Sequence, residues 1–401
     1  MEKNLSTRIN ALAESETLAM MRVSRELTAQ GHDVISLAVG EPDFNTPDNI
    51  KEAAIEAINN NFTHYTPVAG IAELRQAICR KLKRDNNLDY KPEQIVVSTG
   101  AKQSIYNTMM CLVNPGDEVI MPSPYWVSYK EIVKLAEGVA VYLDATIEQD
   151  FKITPKQLEQ AITPKTKLII YSSPCNPSGS VYSHEELEAL AIVIKNNPGI
   201  YVITDEVYEN INFKGKHHTI AGFDFIKDRV IIVNGVSKGF AMTGWRLGYI
   251  AAPAFIAMAC DKLQGQVTSG TNSITQKAAI VALDTDPQTS TDLKKMLAAF
   301  RDRRDKALEL LRRIPGVKTN TPQGAFYILP DISFYYGKKY NDIIIRNGAD
   351  MCDYLLKNHL IALVPGEAFG SPATIRLSYA TSMDRLTEAI IRLEKGLLEL
   401  K

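Results

Sequence analysis

The chain has 401 residues, 45% hydrophobic and 23% charged, and its 45 basic and 46 acidic side chains leave a formal net charge of -1. That length exceeds the size at which one core usually stops growing, so two units are expected. The balanced charge gives no reason to expect nucleic acid or an anionic membrane as partner, and no apolar run is long enough to span a bilayer.

Residues 1–20 are polar, without the apolar core of a signal peptide. The first strand-like segment covers 33–39, and helical periodicity then runs over 49–59 and 71–85. Further strands are predicted over 95–98, 118–121, 139–143, 167–172, 201–204, 230–233 and 248–252, with helices over 102–113, 128–135 and 184–196 among them. Several of these strands are apolar without alternation, as expected where helices cover both faces of a sheet. The texture changes near Thr289. A charged segment over 293–313 reads as a linking helix, followed by short strands near 325–329, 362–364 and 374–378 and a closing helix over 383–400. The expected organisation is an N-terminal arm (1–47), a large α/β domain (48–290) and a smaller α+β domain (291–401). Cys79, Cys111, Cys175, Cys260 and Cys352 lie far apart without metal-ligand spacing, which reads as free thiols in a reducing cytoplasm and no bound metal.

Ligands of open α/β sheets bind beyond the carboxyl ends of the strands. After 95–98 comes Thr99-Gly100-Ala101-Lys102, where small residues expose backbone N–H groups at a helix start, although many such turns bind nothing. After 167–172 comes Ser173-Pro174-Cys175-Asn176-Pro177-Ser178-Gly179, a rigid loop that either presents Asn176 or uses it for its own turn. After 201–204 come Asp205 and Tyr208, a charge and a phenol aimed at one ligand or, more plainly, a helix N-cap. After 230–233, Lys238 sits in a loop of small residues and Arg246 follows eight positions later. A lone lysine is usually solvated, but a buried one has the lowered pKa that imine formation requires, and an arginine fork suits a phosphate.

Taken in order, these motifs resemble the class I (fold type I) aminotransferases over nearly the whole chain. Gly235-Val236-Ser237-Lys238 through Arg246-Leu247-Gly248 is similar to that family's lysine signature, and Arg376 in Ile375-Arg376-Leu377-Ser378 falls in family order. The resemblance implies the PLP-dependent transferase fold, a three-layer, mostly parallel seven-stranded sheet with a smaller α+β domain. It also implies pyridoxal 5'-phosphate as cofactor. Lys238 would carry it as an internal imine and then shuttle the substrate proton, and Asp205 would pair with the pyridinium nitrogen. Tyr208 and Asn176 would bond the phenolic oxygen, while Gly100, Ala101 and Arg246 would hold the phosphate with Lys102 beside them. Trp126 would stack on the ring, its alternative being a core position. Arg376 would grip the substrate α-carboxylate, Gly40 would belong to the segment closing over the substrate, and Tyr65 would reach the phosphate of a second subunit, implying a homodimer. Two departures stand out. Gly235 stands where many relatives place a phosphate-binding Ser, whose bond to the phosphate is then either missing or made by Ser237, and Cys175 replaces an Asn before Asn176.

Among these enzymes the chain resembles the bacterial aspartate aminotransferases that lack a second arginine for the distal carboxylate. There Lys102 and Thr17 would contact that carboxylate, which would be costly to bury unpaired. The alternative for Lys102 is a solvated first-turn lysine, a place where the helix dipole prefers anions. The expected reaction passes the amino group of L-aspartate to 2-oxoglutarate by a ping-pong route, giving oxaloacetate and L-glutamate, and some such enzymes accept prephenate. Aromatic, alanine or kynurenine-type transamination and β-elimination keep the same site. A regulator that borrows the fold needs a leading DNA-binding domain, for which a first strand at 33–39 leaves no room. A nucleotide-binding α/β protein would need a P-loop or a Gly-x-Gly-x-x-Gly that is missing.

Overall fold

The computed structural model describes residues 4–14 and 16–401, so residues 1–3 and 15 of the expected arm lie outside the described residues. Seven strands form the main sheet: β1 (Ile95–Ser98), β2 (Glu118–Ser123), β3 (Val139–Asp144), β4 (Thr166–Ser172), β5 (Tyr201–Asp205), β6 (Val230–Gly235) and β7 (Gly248–Ala251). Their order is β1-β7-β6-β5-β4-β2-β3. Only β7 opposes its neighbours, β1 and β6; the remaining pairs are parallel, which gives the mostly parallel sheet expected.

The unbroken apolar runs have a direct cause. In β4, Leu168 and Ile170 belong to one buried cluster while Ile169 and Tyr171 belong to another on the opposite face. The first cluster takes in helices Ala101–Leu112, Ser128–Leu135 and Ala254–Val267; the second takes in Ala72–Asn86, His184–Lys195 and Ser273–Asp284. Both faces are covered over the inner strands, so their positions favour apolar side chains, while the edge strand β3 stays half-exposed. The predicted helices recur within two residues at each end, but Glu16–Ala29, Pro155–Ala161, Ala254–Val267, Ser273–Asp284 and Gly348–His359 are not among those expected. Ser273–Asp284 packs against Asp48–Asn59 and Ala72–Asn86 at once, so its apolar residues spread beyond one face and blur the 3.6-residue period.

The C-terminal part builds a three-stranded antiparallel sheet, with Ile375–Ser378 between Val364–Pro365 and Tyr327–Ile328, together with helices Thr291–Leu311, Gly348–His359 and Met383–Leu398. The single strand expected over 362–364 is in fact two. Ile361–Ala362 pairs in parallel with Ile35–Ser36, and the chain then turns so that Val364–Pro365 pairs with Ile375–Ser378. The N-terminal segment is thereby sewn into this part of the molecule. Asp33 adds ion pairs to Arg385 (2.9 Å) and Arg392 (2.7 Å). Among the described residues no helix is long and apolar enough to cross a membrane, and all five cysteines are free.

Candidate active site

The register brings Ser98, Gly248 and Gly235 side by side across β1, β7 and β6, and Ser172, Asp205 and Val233 side by side across β4, β5 and β6. A cavity of about 320 Å³ opens beyond these strand ends. Every site residue read from the sequence lines it except Gly100 and Tyr65. Gly100 lies directly behind Arg246, and Tyr65 is fully exposed on the surface, where its own chain's cavity does not reach it.

Lys238 enters from the loop after β6. Burial is the main cause that lowers its pKa from 10.5 to about 8; the Arg376 and Arg246 charges act in the same direction, while Glu41 and Asp205 oppose them. Its Nζ donates to the carbonyl of Gly40 at 2.5 Å. An amine in this state is unprotonated often enough near neutral pH to act as nucleophile or base.

Asp205 closes β5 and is not a helix N-cap, because turns rather than a helix follow it. Its Oδ2 accepts from the Tyr129 hydroxyl at 2.8 Å and its Oδ1 from the Val207 N–H at 3.3 Å. Burial pushes its pKa up to about 6 in spite of those two bonds. A carboxylate held so would be stabilised by a cationic ring nitrogen. Tyr129, to which the sequence assigns no role, is the partner that orients it.

The glycines form a cradle. Gly100, at φ +86°, caps the helix Ala101–Leu112, and a Cβ there would lie 2.4 Å from Arg246 Nη2. A Cβ on Gly248 would lie 2.2 Å from the nitrogen of Ala101. Absence of both side chains lets a helix N-terminus, whose first N–H groups have no intrahelical acceptor, meet the Arg246 guanidinium. Arg246 is itself left-handed (φ 57°) and is steadied by Nη1 donating to the Thr243 carbonyl at 2.9 Å. Gly235 has no room for the serine that the resemblance leads one to expect there, since a Cβ would sit 2.8 Å from the Leu247 carbonyl; Ser237 lines the cavity instead.

On the other wall, Arg376 is only 2% exposed. Its Nη1 donates to Asn176 Oδ1 (3.0 Å) and its Nη2 to the Ala38 carbonyl (2.8 Å). The rings of Tyr327 and Phe369 flank the guanidinium at 4.6 and 4.8 Å. No carboxylate among the described residues pairs with it. Cys175, the other departure, is buried with its thiol toward the Pro124 carbonyl (3.7 Å). Lys102 is exposed, with its Nζ 5.0 Å from the centre of the Trp126 ring; desolvation against the cavity wall, followed by the Arg246 charge, lowers its pKa. It lines the cavity while remaining exposed to solvent, whereas Thr17 and Trp126, which also line it, are half-buried.

The sequence model of the aminotransferase class I and II family matches residues 32–393. The chain belongs to that family. The aspartate/prephenate aminotransferase of Nitrosomonas europaea is 46% identical over 97% of this chain and 98% of its own length. A bifunctional aspartate aminotransferase and glutamate/aspartate-prephenate aminotransferase of Petunia hybrida is 46% identical over 99% of this chain and 84% of its own. Among solved structures, the aspartate aminotransferase of Rhizobium meliloti superposes with a TM-score of 0.95 at 39% identity, covering 99% of this chain and all of that one. The Thermus thermophilus enzyme solved with maleate gives 0.92 at 38%, covering 98% of this chain and all of that one. This aminotransferase therefore shares fold and family with enzymes whose substrates are amino and oxo acids.

Behind the cavity floor lies a second polar group that the sequence does not announce. Glu209 pairs with Lys81, both almost fully buried, and accepts from Asn234 Nδ2 at 2.8 Å. Glu206 lies 3.1 Å from His217. Glu206, Glu209 and His217 are close enough to share an ion, but the Lys81 ammonium already supplies the cation at Glu209.

Proposed function

We propose that this aminotransferase uses pyridoxal 5'-phosphate to pass the amino group of L-aspartate to 2-oxoglutarate, and that prephenate is a further acceptor. The observation that carries the reading is a half-buried amine of lowered pKa, Lys238, lining one cavity with a buried arginine, Arg376, that has no counter-ion among the described residues. The residues present fit the cofactor. The Gly100/Gly248 cradle with Arg246 suits its phosphate, the raised pKa of Asp205 suits a ring nitrogen, and Tyr208 offers a phenol beside Lys238. When bound, the cofactor supplies an aldehyde for the amine and a ring that withdraws electrons from the substrate Cα. Lys238 Nζ would take the proton from Cα and hold it for return, as its lowered pKa permits. Arg376 orients the α-carboxylate through a two-pronged contact. Lys102 and Thr17 receive the distal carboxylate, a role supported by relatives named for aspartate and prephenate and by the neighbour solved with maleate, itself a dicarboxylate.

The exposed Tyr65 supports a homodimer in which it reaches the second subunit's cavity. The free thiols support a reducing, cytoplasmic setting. The division into arm, large domain and small domain stays as proposed, at residues 47 and 290. The test is the visible spectrum after incubation with pyridoxal phosphate. A pH-dependent band that borohydride abolishes and Lys238→Ala lacks is expected; a colourless protein refutes the reading.

A further inference from the structure

Tyr327 carries no signal in the sequence, yet it joins the two walls of the cavity. Its hydroxyl lies 2.9 Å from that of Tyr208, and its ring lies 4.6 Å from the Arg376 guanidinium. It is wholly buried and held in register opposite Ser378, and its hydroxyl occupies space that a Cβ on Gly40 would invade at 2.8 Å. Two hydroxyls at that separation share one proton. If Tyr208 spends its own proton on the cofactor's phenolic oxygen, as the proposed function holds, the proton between the phenols belongs to Tyr327. The Arg376 charge lies against the ring of Tyr327 rather than that of Tyr208, which makes Tyr327 the stronger donor of the two.

We infer that Tyr327 is a positioning residue that donates its hydroxyl proton to Tyr208, strengthening the bond Tyr208 makes to the cofactor, while its ring separately supports Arg376. The inference rests on the reading of Tyr208 as a cofactor contact. Chained hydrogen bonds polarise one another by roughly 10–30% each. Loss of the Tyr327 hydroxyl therefore weakens the Tyr208 bond without removing it, and the protonated form of the coloured enzyme gains.

The protein reconstituted with pyridoxal phosphate is titrated with pH while its visible band is followed, with melting temperatures recorded for each variant. Tyr327→Phe should raise the midpoint by roughly 0.3 pH unit, with the KM for L-aspartate held because the ring stays under Arg376. Tyr208→Phe should raise it further, and the double variant no further than Tyr208→Phe alone. If Tyr208→Phe moves the midpoint while Tyr327→Phe leaves it in place or adds independently, the inference is overturned and the role of Tyr208 survives. If Tyr208→Phe itself moves nothing, that role falls and the inference with it. Should Tyr327→Phe not fold, 3-fluorotyrosine at position 327, a stronger donor of the same shape, must lower the midpoint; an unmoved midpoint overturns the inference.

Discussion

Arg376 donates through Nη1 to Asn176 Oδ1 at 3.0 Å, while its Nε, buried as deeply, has no acceptor among the described residues. A buried guanidinium left with spare donors is prepared for a bidentate anion. Arg376→Lys keeps the charge and loses the fork, so kcat/KM for L-aspartate should fall roughly 30- to 1000-fold, the cost of breaking one side of a buried charged pair. Cofactor affinity, read from the visible band, should stay within about twofold, because Arg376 takes no part in the cradle of Gly100, Gly248 and Arg246.

Among the described residues Lys102 has an aromatic ring beside it and forms no ion pair with a carboxylate. Removing it by Lys102→Ala should weaken aspartate and glutamate roughly tenfold or more in kcat/KM and leave L-alanine nearly unchanged. Unchanged dicarboxylate kinetics would reassign the lysine.

Asp205 carries a pH signature. Burial raises its pKa from 3.8 in the unfolded chain to about 6 when folded. The folded state thus favours the protonated acid. The associated stability is complete below about pH 4 and is lost as pH rises through about 6. Near pH 7.5 the cofactor-free protein carries a penalty of about 3 kcal/mol. Asp205→Asn should then raise the melting temperature of the cofactor-free protein near neutrality, with the gap closing toward pH 4, and should weaken cofactor binding. A gap that does not change with pH would contradict the assignment.

Gly248→Ala places a methyl 2.2 Å from the Ala101 nitrogen and 2.6 Å from the Gly100 carbonyl carbon, both backbone atoms. Overpacking of that kind should spread the cradle and weaken pyridoxal phosphate binding roughly tenfold, measured by fluorescence titration. Gly199→Ala, where nothing lies within 4 Å of the added atom, is the control and should bind normally.

Lys81 and Glu209 are a buried pair, 3% and 5% exposed. Lys81→Met strands a carboxylate in the interior and should lower unfolding stability by about 3–5 kcal/mol in urea. Lys81→Met with Glu209→Gln should recover part of it.

What is legible in the sequence is whatever lies close along the chain. Lys238 and Arg246 declare themselves because a loop of small residues follows an apolar strand, and the ends of β1, β4, β5 and β6 each carry a short readable segment. What is not legible depends on distant pairing. Tyr129 meets Asp205 across 76 positions and Tyr208 meets Tyr327 across 119, and no local pattern marks either partner. The aromatic run at Phe326 and Tyr327 reads equally well as ordinary core. Lys81 has the sequence surroundings of a surface lysine on an amphipathic helix, and only the fold sets Glu209 against it. The reversed direction of β7 also leaves no trace in composition, since it is as apolar as its parallel neighbours.

The strip of arm that pairs with Ile361–Ala362 continues into Ala38 and Gly40, whose carbonyls accept from Arg376 and Lys238. One short ribbon therefore chaperones both cations. A carboxylate arriving at Arg376 takes Nη2 from the Ala38 carbonyl, and an aldehyde arriving at Lys238 takes the amine from the Gly40 carbonyl. Capture becomes an exchange of partners at both groups, and a shift of the ribbon would change the readiness of the two together.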